Sequence, residues 1–200
     1  MIVISYFIGA VPFGLVLGKA AGIDVRKDGS GNIGATNVAR LVGKKIGIVT
    51  LLLDVAKGFL PMLAAAGLGA GENAILLCGI AAFAGHLYPV YLKLKGGKGV
   101  ATALGVFLYL DPAAVVICIL SFVAVVVVSG YVSAGSLVAS ALMPVLVLFL
   151  RGPGNVVWCA LFIAFLIWFK HRENIVRLLR REEKSWKKKK NGTCSGGDIR

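Results

Sequence analysis

Acidic residues are scarce in this chain, with nine Asp and Glu against 22 Lys and Arg, and there are only two histidines. Paired cysteines are missing too. Cys78, Cys118, Cys159 and Cys194 include no C-x-x-C spacing, and three of them lie inside apolar runs, which argues against a disulfide framework or a zinc site. Polar residues are in the minority: 58% of residues are hydrophobic and the mean hydropathy is +0.87, too apolar for the surface of a soluble domain. The first stretch, 1–18, lacks the basic start of a secretory signal and reads as a retained span. The formal charge of +13 does not indicate nucleic acid, because the basic residues sit between and after apolar runs, where membrane orientation needs them.

Apolar runs cover 2–18, 46–71, 73–92 and 152–169, each close to one crossing in length. The run 112–150 is long enough for two crossings, with a break expected at Gly130-Tyr-Val-Ser-Ala-Gly-Ser136, which places Ser133 and Ser136 in a connecting loop. Gly14, Gly18 and Gly22 repeat at four-residue spacing and suggest close helix approach. Basic residues concentrate in 19–45, 93–98 and 170–190, whereas the linkers near Glu72, Asp111 and Arg151 hold a single one. The positive-inside rule therefore puts the three basic segments in the cytoplasm and the N-terminus outside. An outside start and an inside finish require an odd number of crossings, so the short run 99–110 must cross as well. The expectation is an all-α integral membrane protein of seven transmembrane helices with a short fourth span. Beginning at Gly97, that span would reach only about 21 Å. Residues 1–183 form the membrane domain and 184–200 a basic, mobile tail that attracts anionic lipid.

Chemistry-bearing residues gather in the cytoplasmic segments. In Asp28-Gly-Ser-Gly-Asn-Ile-Gly-Ala-Thr-Asn-Val-Ala-Arg40, glycines 29, 31 and 34 allow successive backbone N–H groups to face an anion. Ser30, Asn32, Thr36 and Asn37 add donors, Arg40 offers a fork matched to phosphate, and a short helix from Ala35 to Val42 would aim its N-terminus at the same ligand. In Leu94-Lys-Gly-Gly-Lys-Gly-Val100, Lys98 is wrapped by Gly96, Gly97 and Gly99. The string is not a nucleotide P-loop, since Leu92 stands where the first glycine belongs, but it can hold a phosphate. His171 and Asn174 share a helix face beyond the last span. Asp54 and Lys57, at i and i+3 inside a span, are either a functional pair or an ion pair that serves packing; His86 reads as a packing residue.

The strings GSGNIGATNVAR (29–40), LDVAKG (53–58), GHLYPVYLKLKGGKGVAT (85–102) and HRENIVRL (171–178) closely resemble the bacterial acyl-phosphate:glycerol-3-phosphate acyltransferases. The resemblance runs in order from about Ser5 to Glu183. It implies seven spans and transfer of an acyl chain from acyl phosphate to the sn-1 hydroxyl of glycerol 3-phosphate, giving lysophosphatidate and phosphate for phospholipid biosynthesis. It also implies a multi-pass protein of the bacterial inner membrane with its active site at the cytoplasmic face. By the same resemblance Ser30, Arg40, Lys98, His171 and Asn174 are catalytic. The loop glycines, Asn32, Thr36, Asn37, Lys57, Ser136 and Glu183 contact substrate, although some members have glycine where Arg181 stands. No cofactor or metal is implied, and no oligomer is indicated.

Neither histidine begins an H-x-x-x-x-D pair, because Tyr91 and Val176 stand at the aspartate positions. The hydroxyl proton then goes either to His171 or to a substrate phosphate oxygen. Two rival classes fit less well. An organophosphate transporter would explain charges within a span, but no internal repeat is visible and the motifs gather on one face. A membrane phosphotransferase would need D-G-x-x-A-R and spaced aspartates for magnesium, which are missing.

Overall fold

The structure is a computed structural model and describes residues 1–186. Ten α-helices and no strands are present among them: α1 (Ile2–Ala10), α2 (Phe13–Ala20), α3 (Ala35–Leu41), α4 (Lys44–Gly67), α5 (Glu72–Leu87), α6 (Val100–Leu110), α7 (Pro112–Ser129), α8 (Val132–Arg151), α9 (Asn155–Lys170) and α10 (Arg172–Leu179). Five stretches are long and apolar enough to cross a membrane: α1 with α2, α4, α5 extended to Leu92, α7 and α8. Joining α9 to α10, which meet at a 59° bend, makes six. The protein is thus an all-helical, multi-pass membrane protein. At the start of the expected tail, Lys184 donates to the Gly29 carbonyl, and the Trp186 amide donates to the Gly130 carbonyl. The expected basic tail from Lys187 onward lies outside the described residues.

Several expected boundaries move, each for a local reason. The first span is interrupted at Val11–Pro12, because proline brings no N–H to the helix ladder. α6 starts at Val100 rather than Gly97. The Gly96 and Gly97 amides donate to the Leu87 and His86 carbonyls at the end of α5, and Gly99 sits at φ +85, outside helical backbone. The 11 residues that remain reach only about 16 Å. The break between α7 and α8 needs only Gly130, in the left-handed conformation that ends helices, and Tyr131. Ser133 and Ser136 consequently lie on the first turns of α8, not in a loop. α6 and α7 meet with no loop at all: the Asp111 side chain caps α7 by accepting from the Ala114 amide at 3.0 Å, and Pro112 opens the helix.

Lipid gives helices little hydrophobic reason to associate, so close packing must hold the bundle together. α1 and α5 meet through Gly9, where a Cβ would lie 2.0 Å from the Ala82 carbonyl oxygen, and Gly85, where one would lie 2.2 Å from that of Tyr6. α4 and α6 repeat the device, with Gly58 against Thr102 and Gly105 against Val55. Between these pairs lies a core built around Met62, Phe83, Leu87, Val106, Val115, Val147 and Ile163. α7 turns Val116, Leu120, Val123, Val127 and Val128 outward, the surface expected against lipid. Gly14 and Gly18 pack against a loop rather than a helix: a Cβ on Gly14 would lie 1.9 Å from the Ile33 carbonyl oxygen, and one on Gly18 would lie 2.7 Å from Val25. A second small core of Leu15, Val25, Ile33 and Val38 holds the first polar loop down on α2.

Gly105→Ala should therefore cost about 1–3 kcal/mol of stability by forcing α4 and α6 apart. Gly67→Ala, at an open position in α4, should be neutral or stabilising by up to about 1 kcal/mol. Thermal unfolding of the two variants in the same detergent checks the contrast.

Candidate active site

A cavity of about 850 Å³ opens where the starts of α3, α4, α6 and α8 meet the end of α9. Its polar end includes Ser30, Arg40, Lys98, His171, Asn174 and Glu183, and its depth is lined by Leu104, Phe107, Phe122, Met143 and Ile163. One chamber thus offers charge at its mouth and hydrocarbon contact below, the division an acyl chain with a charged head requires.

The first loop is shaped by Asn37. Its amide nitrogen donates to the carbonyls of Val25 (2.8 Å), Asn32 (3.0 Å) and Asp28 (3.3 Å), and its oxygen accepts from the Ser30 amide at 2.8 Å. The side chain is buried at the cavity wall, and these bonds make it the keystone of the loop. Gly29, at φ +66, is where the chain passes over it; a Cβ there would lie 2.3 Å from the Asn37 oxygen. Asn32 accepts from the Gly34 amide and fixes the turn into α3, whose first turn presents Thr36 to the cavity. The Ser30 side chain faces the same space.

Beyond α9 the chain folds back over the cavity mouth. Glu183 accepts from Asn174 (2.7 Å) and Ser133 (2.8 Å) on one oxygen and pairs with Arg177 (2.8 Å) on the other. Burial works to raise its pKa, but the hydrogen bonds from Arg177, Asn174 and Ser133 outweigh it and hold the carboxyl below its ordinary value. The Asn174 oxygen accepts in turn from the Lys98 ammonium. Burial pushes Lys98 down to about 8, against the Glu183 charge, which acts to raise it. Arg40 donates to the Lys184 carbonyl at 3.0 Å. Arg181, at φ +58, follows α10 in the conformation glycine prefers.

The imidazole Nδ1 of His171 lies 2.8 Å from the Ile167 carbonyl. A carbonyl only accepts, so Nδ1 carries the proton and Nε2 keeps its lone pair. Burial and the nearby Lys98 charge hold the ring down to about 4, so it is neutral at physiological pH.

Most of the expected site residues meet here: Ser30, Asn32, Thr36, Arg40, Lys98, Gly99, Ser136, His171, Asn174 and Glu183 all line the cavity, as do Gly29 and Gly34. Four others play different parts. Gly31 turns the chain beside the Arg26 carbonyl, away from the cavity wall. Gly96 and Gly97 give their amides to α5 and lie against His86, leaving Lys98 to face the cavity. Lys57 sits 2.8 Å from Asp54 and donates at 3.0 Å to the Val11 carbonyl at the break in the first span, which also accepts from the Phe13 amide at 3.1 Å. It is not among the cavity-lining residues. Ser133, Arg177 and Lys184 were missed as site residues. Arg177 lies three residues past Asn174 and shares its helix face, the one signal that would have found it.

A model of the family described as glycerol-3-phosphate acyltransferase matches residues 1–181. The chain belongs to this family. It is 58% identical over 191 residues to the glycerol-3-phosphate acyltransferase of Desulfotalea psychrophila, covering 93% of this chain and 96% of that one. It is 48% identical over 183 residues to that of Trichlorobacter lovleyi, covering 92% and 94%. Among solved structures it is similar to the integral membrane glycerol 3-phosphate acyltransferase PlsY in its glycerol 3-phosphate form, with a TM-score of 0.88 and 38% identity over 93% of this chain and 94% of that one. The lysophosphatidic acid form of PlsY superposes with a TM-score of 0.85, covering 92% of each chain. The chain is therefore an acyltransferase, and the transporter and phosphotransferase readings fall away.

Because Lys98 loses its charge as the pH passes about 8, inorganic phosphate should bind the ligand-free protein progressively more weakly above that pH. Glu183→Gln removes a charge that raises the Lys98 pKa, so the weakening should begin at lower pH. Calorimetric titration with phosphate between pH 6.5 and 9.5 checks both the limb and its displacement.

Proposed function

We propose that the protein transfers an acyl group from acyl phosphate to the sn-1 hydroxyl of glycerol 3-phosphate, without a covalent acyl-enzyme. The observation that carries this reading is how the cations at the cavity mouth are held. Lys98 donates to an amide oxygen, and Arg40 and Lys184 donate to backbone carbonyls. A phosphate would displace these neutral acceptors by forming charge-assisted bonds. Three such cations above an apolar chamber suit one soluble phosphate substrate and one whose acyl chain lies in the chamber. The glycerol 3-phosphate form of the related PlsY supports the first assignment.

In the reaction the hydroxyl oxygen attacks the acyl carbon, the bond from that carbon to the phosphate oxygen breaks, and phosphate leaves with the electron pair. Acyl phosphate is a mixed anhydride with a good leaving group, so orientation and charge stabilisation suffice. Arg40 and Lys98 neutralise the phosphates, Ser30 and Asn174 orient them, and the Nε2 lone pair of His171 accepts a hydrogen bond from the glycerol hydroxyl. A ring held near 4 is a poor base. A phosphate monoester with a second pKa near 6 is a better one, so the hydroxyl proton passes to substrate phosphate.

We infer seven crossings, with α6 as the short fourth, an outside N-terminus and a cytoplasmic cavity mouth at the bacterial inner membrane. The clustering of the basic segments supports that orientation. Purified protein given acyl phosphate and glycerol 3-phosphate, without added metal, should release phosphate and form lysophosphatidate. Inside-out vesicles should consume added glycerol 3-phosphate, and sealed right-side-out vesicles should not. Lack of turnover in the purified protein would remove the acyl-phosphate reading.

His171→Gln keeps a polar group but removes the basic nitrogen. Loss of an obligatory general base costs roughly 100-fold or more, so the expected fall is smaller than that. Steady-state kinetics should show measurable turnover, with an acid limb near pH 6 shared by wild type and variant. An inactive variant, correctly folded, would assign the proton to His171.

A further inference from the structure

Beneath the second loop lies a group of buried polar side chains that the reaction outlined above does not use. Asp54 and Lys57 on α4 form an ion pair at 2.8 Å, and His86 in the last turn of α5 turns its Nδ1 to within 3.8 Å of the Asp54 carboxylate. All three are no more than 4% exposed, and Nδ1 of His86 has no hydrogen-bond partner among the described residues. Burying an ion pair in an apolar bundle is a poor way to gain stability, since well-packed apolar residues do as well or better. The placement of the group points to a different purpose.

The opposite edge of the His86 ring supports the loop that carries Lys98. A Cβ at Gly97 would lie 2.2 Å from Nε2, and one at Gly96 would lie 2.1 Å from the His86 carbonyl oxygen. The Gly97 amide donates to that same carbonyl at 3.1 Å. The glycine backbone therefore lies directly on the imidazole, and the next side chain, Lys98, reaches Asn174 at the cavity mouth. Asp54 stands behind the ring, and Lys57 fastens Asp54 to the Val11 carbonyl in the broken first span. Side chains from α4 and α5, together with the break between α1 and α2, thus meet under three residues of loop.

We propose that Asp54, Lys57 and His86 are positioning residues that set the height and direction of the Gly96–Gly99 loop, and through it the place of the Lys98 ammonium. The kinetic part of this inference rests on the function proposed above; the structural part does not. The glycines at 96 and 97 serve contact with His86, not contact with an anion. A displacement of Lys98 by about 1 Å is enough to lower turnover on the order of 100-fold.

The test uses the full-length protein in detergent micelles and compares Asp54→Asn, His86→Ala, Gly97→Ala and the double variant His86→Ala/Gly97→Ala. Hydrogen exchange of the 94–99 backbone should quicken in Asp54→Asn and His86→Ala while protection within α4 and α5 is retained. Gly97→Ala should lose activity on the order of 100-fold. Removing the ring in the double variant should recover at least about tenfold of it, because the methyl group then has room. Loop exchange that stays at the wild-type rate, or a double variant no better than Gly97→Ala, would overturn the proposal. So would loss of protection throughout α4 and α5, which marks a merely structural role. Should His86→Ala fail to fold, Asp54→Asn decides by the same exchange measurement. If the wild-type protein does not use acyl phosphate, the reaction is lost but the exchange comparison still decides the positioning.

Discussion

The contact on which the rest of this structure depends is the approach of α4 to α6, backbone against backbone, through Gly58 and Gly105. α6 is too short to find its depth by spanning the apolar layer, so its level must come from its neighbour. That neighbour also carries Asp54 and Lys57, and Gly58 comes directly after the lysine. The glycine contacts and the buried ion pair therefore occupy adjoining turns of one helix, so α4 fixes both the body of α6 and the ground under its first residues.

The charge pattern at the mouth follows from this frame. Arg40, Lys98, Arg177 and Lys184 gather near the carboxylate of Glu183; Arg177 alone of these is paired with it directly, and Arg177 also lies 4.0 Å from the exposed Glu173 carboxylate. Glu183 governs the geometry through neutral intermediaries: Asn174 and Ser133 donate to it, and Asn174 receives Lys98. An arrangement of this kind holds cations in place without neutralising them. Their unspent charge is what an incoming anion meets, in surroundings drier than water where it acts more strongly.

Much of the site was legible because its chemistry is local. Ser30, Arg40, Lys98, His171 and Asn174 stand out as polar residues in the basic segments between and after apolar runs, and the structure brings these segments to one cavity. The glycine string was harder to read. An anion nest and a close backbone contact both call for glycine, and only the three-dimensional partner tells them apart; for Gly96 and Gly97 that partner is α5. Asn37 looked like one donor among several, yet its bonds reach back to Val25 and gather the loop around it. For Lys57 the resemblance implies a substrate contact, and the sequence leaves a packing ion pair equally open. Its partners are Asp54, one turn away, and the Val11 carbonyl at the break in the first span, far away in the sequence. For Asn37 and for the amides of Gly96 and Gly97 the partners are main-chain atoms, which carry no mark in the sequence.

The turn at Asp111 has a further consequence. On the side away from the cavity mouth, α6 passes to α7 through that one residue, α4 passes to α5 through Leu68–Gly71, and α8 passes to α9 through Gly152–Gly154. These connections are too tight to form a separate epitope. An antibody fragment raised to hold the protein still, or an inserted reporter loop, would find little to grip on that side. Such ligands would have to come to the face where the candidate site opens, so a rigid binder selected for structural work would also cover that cavity.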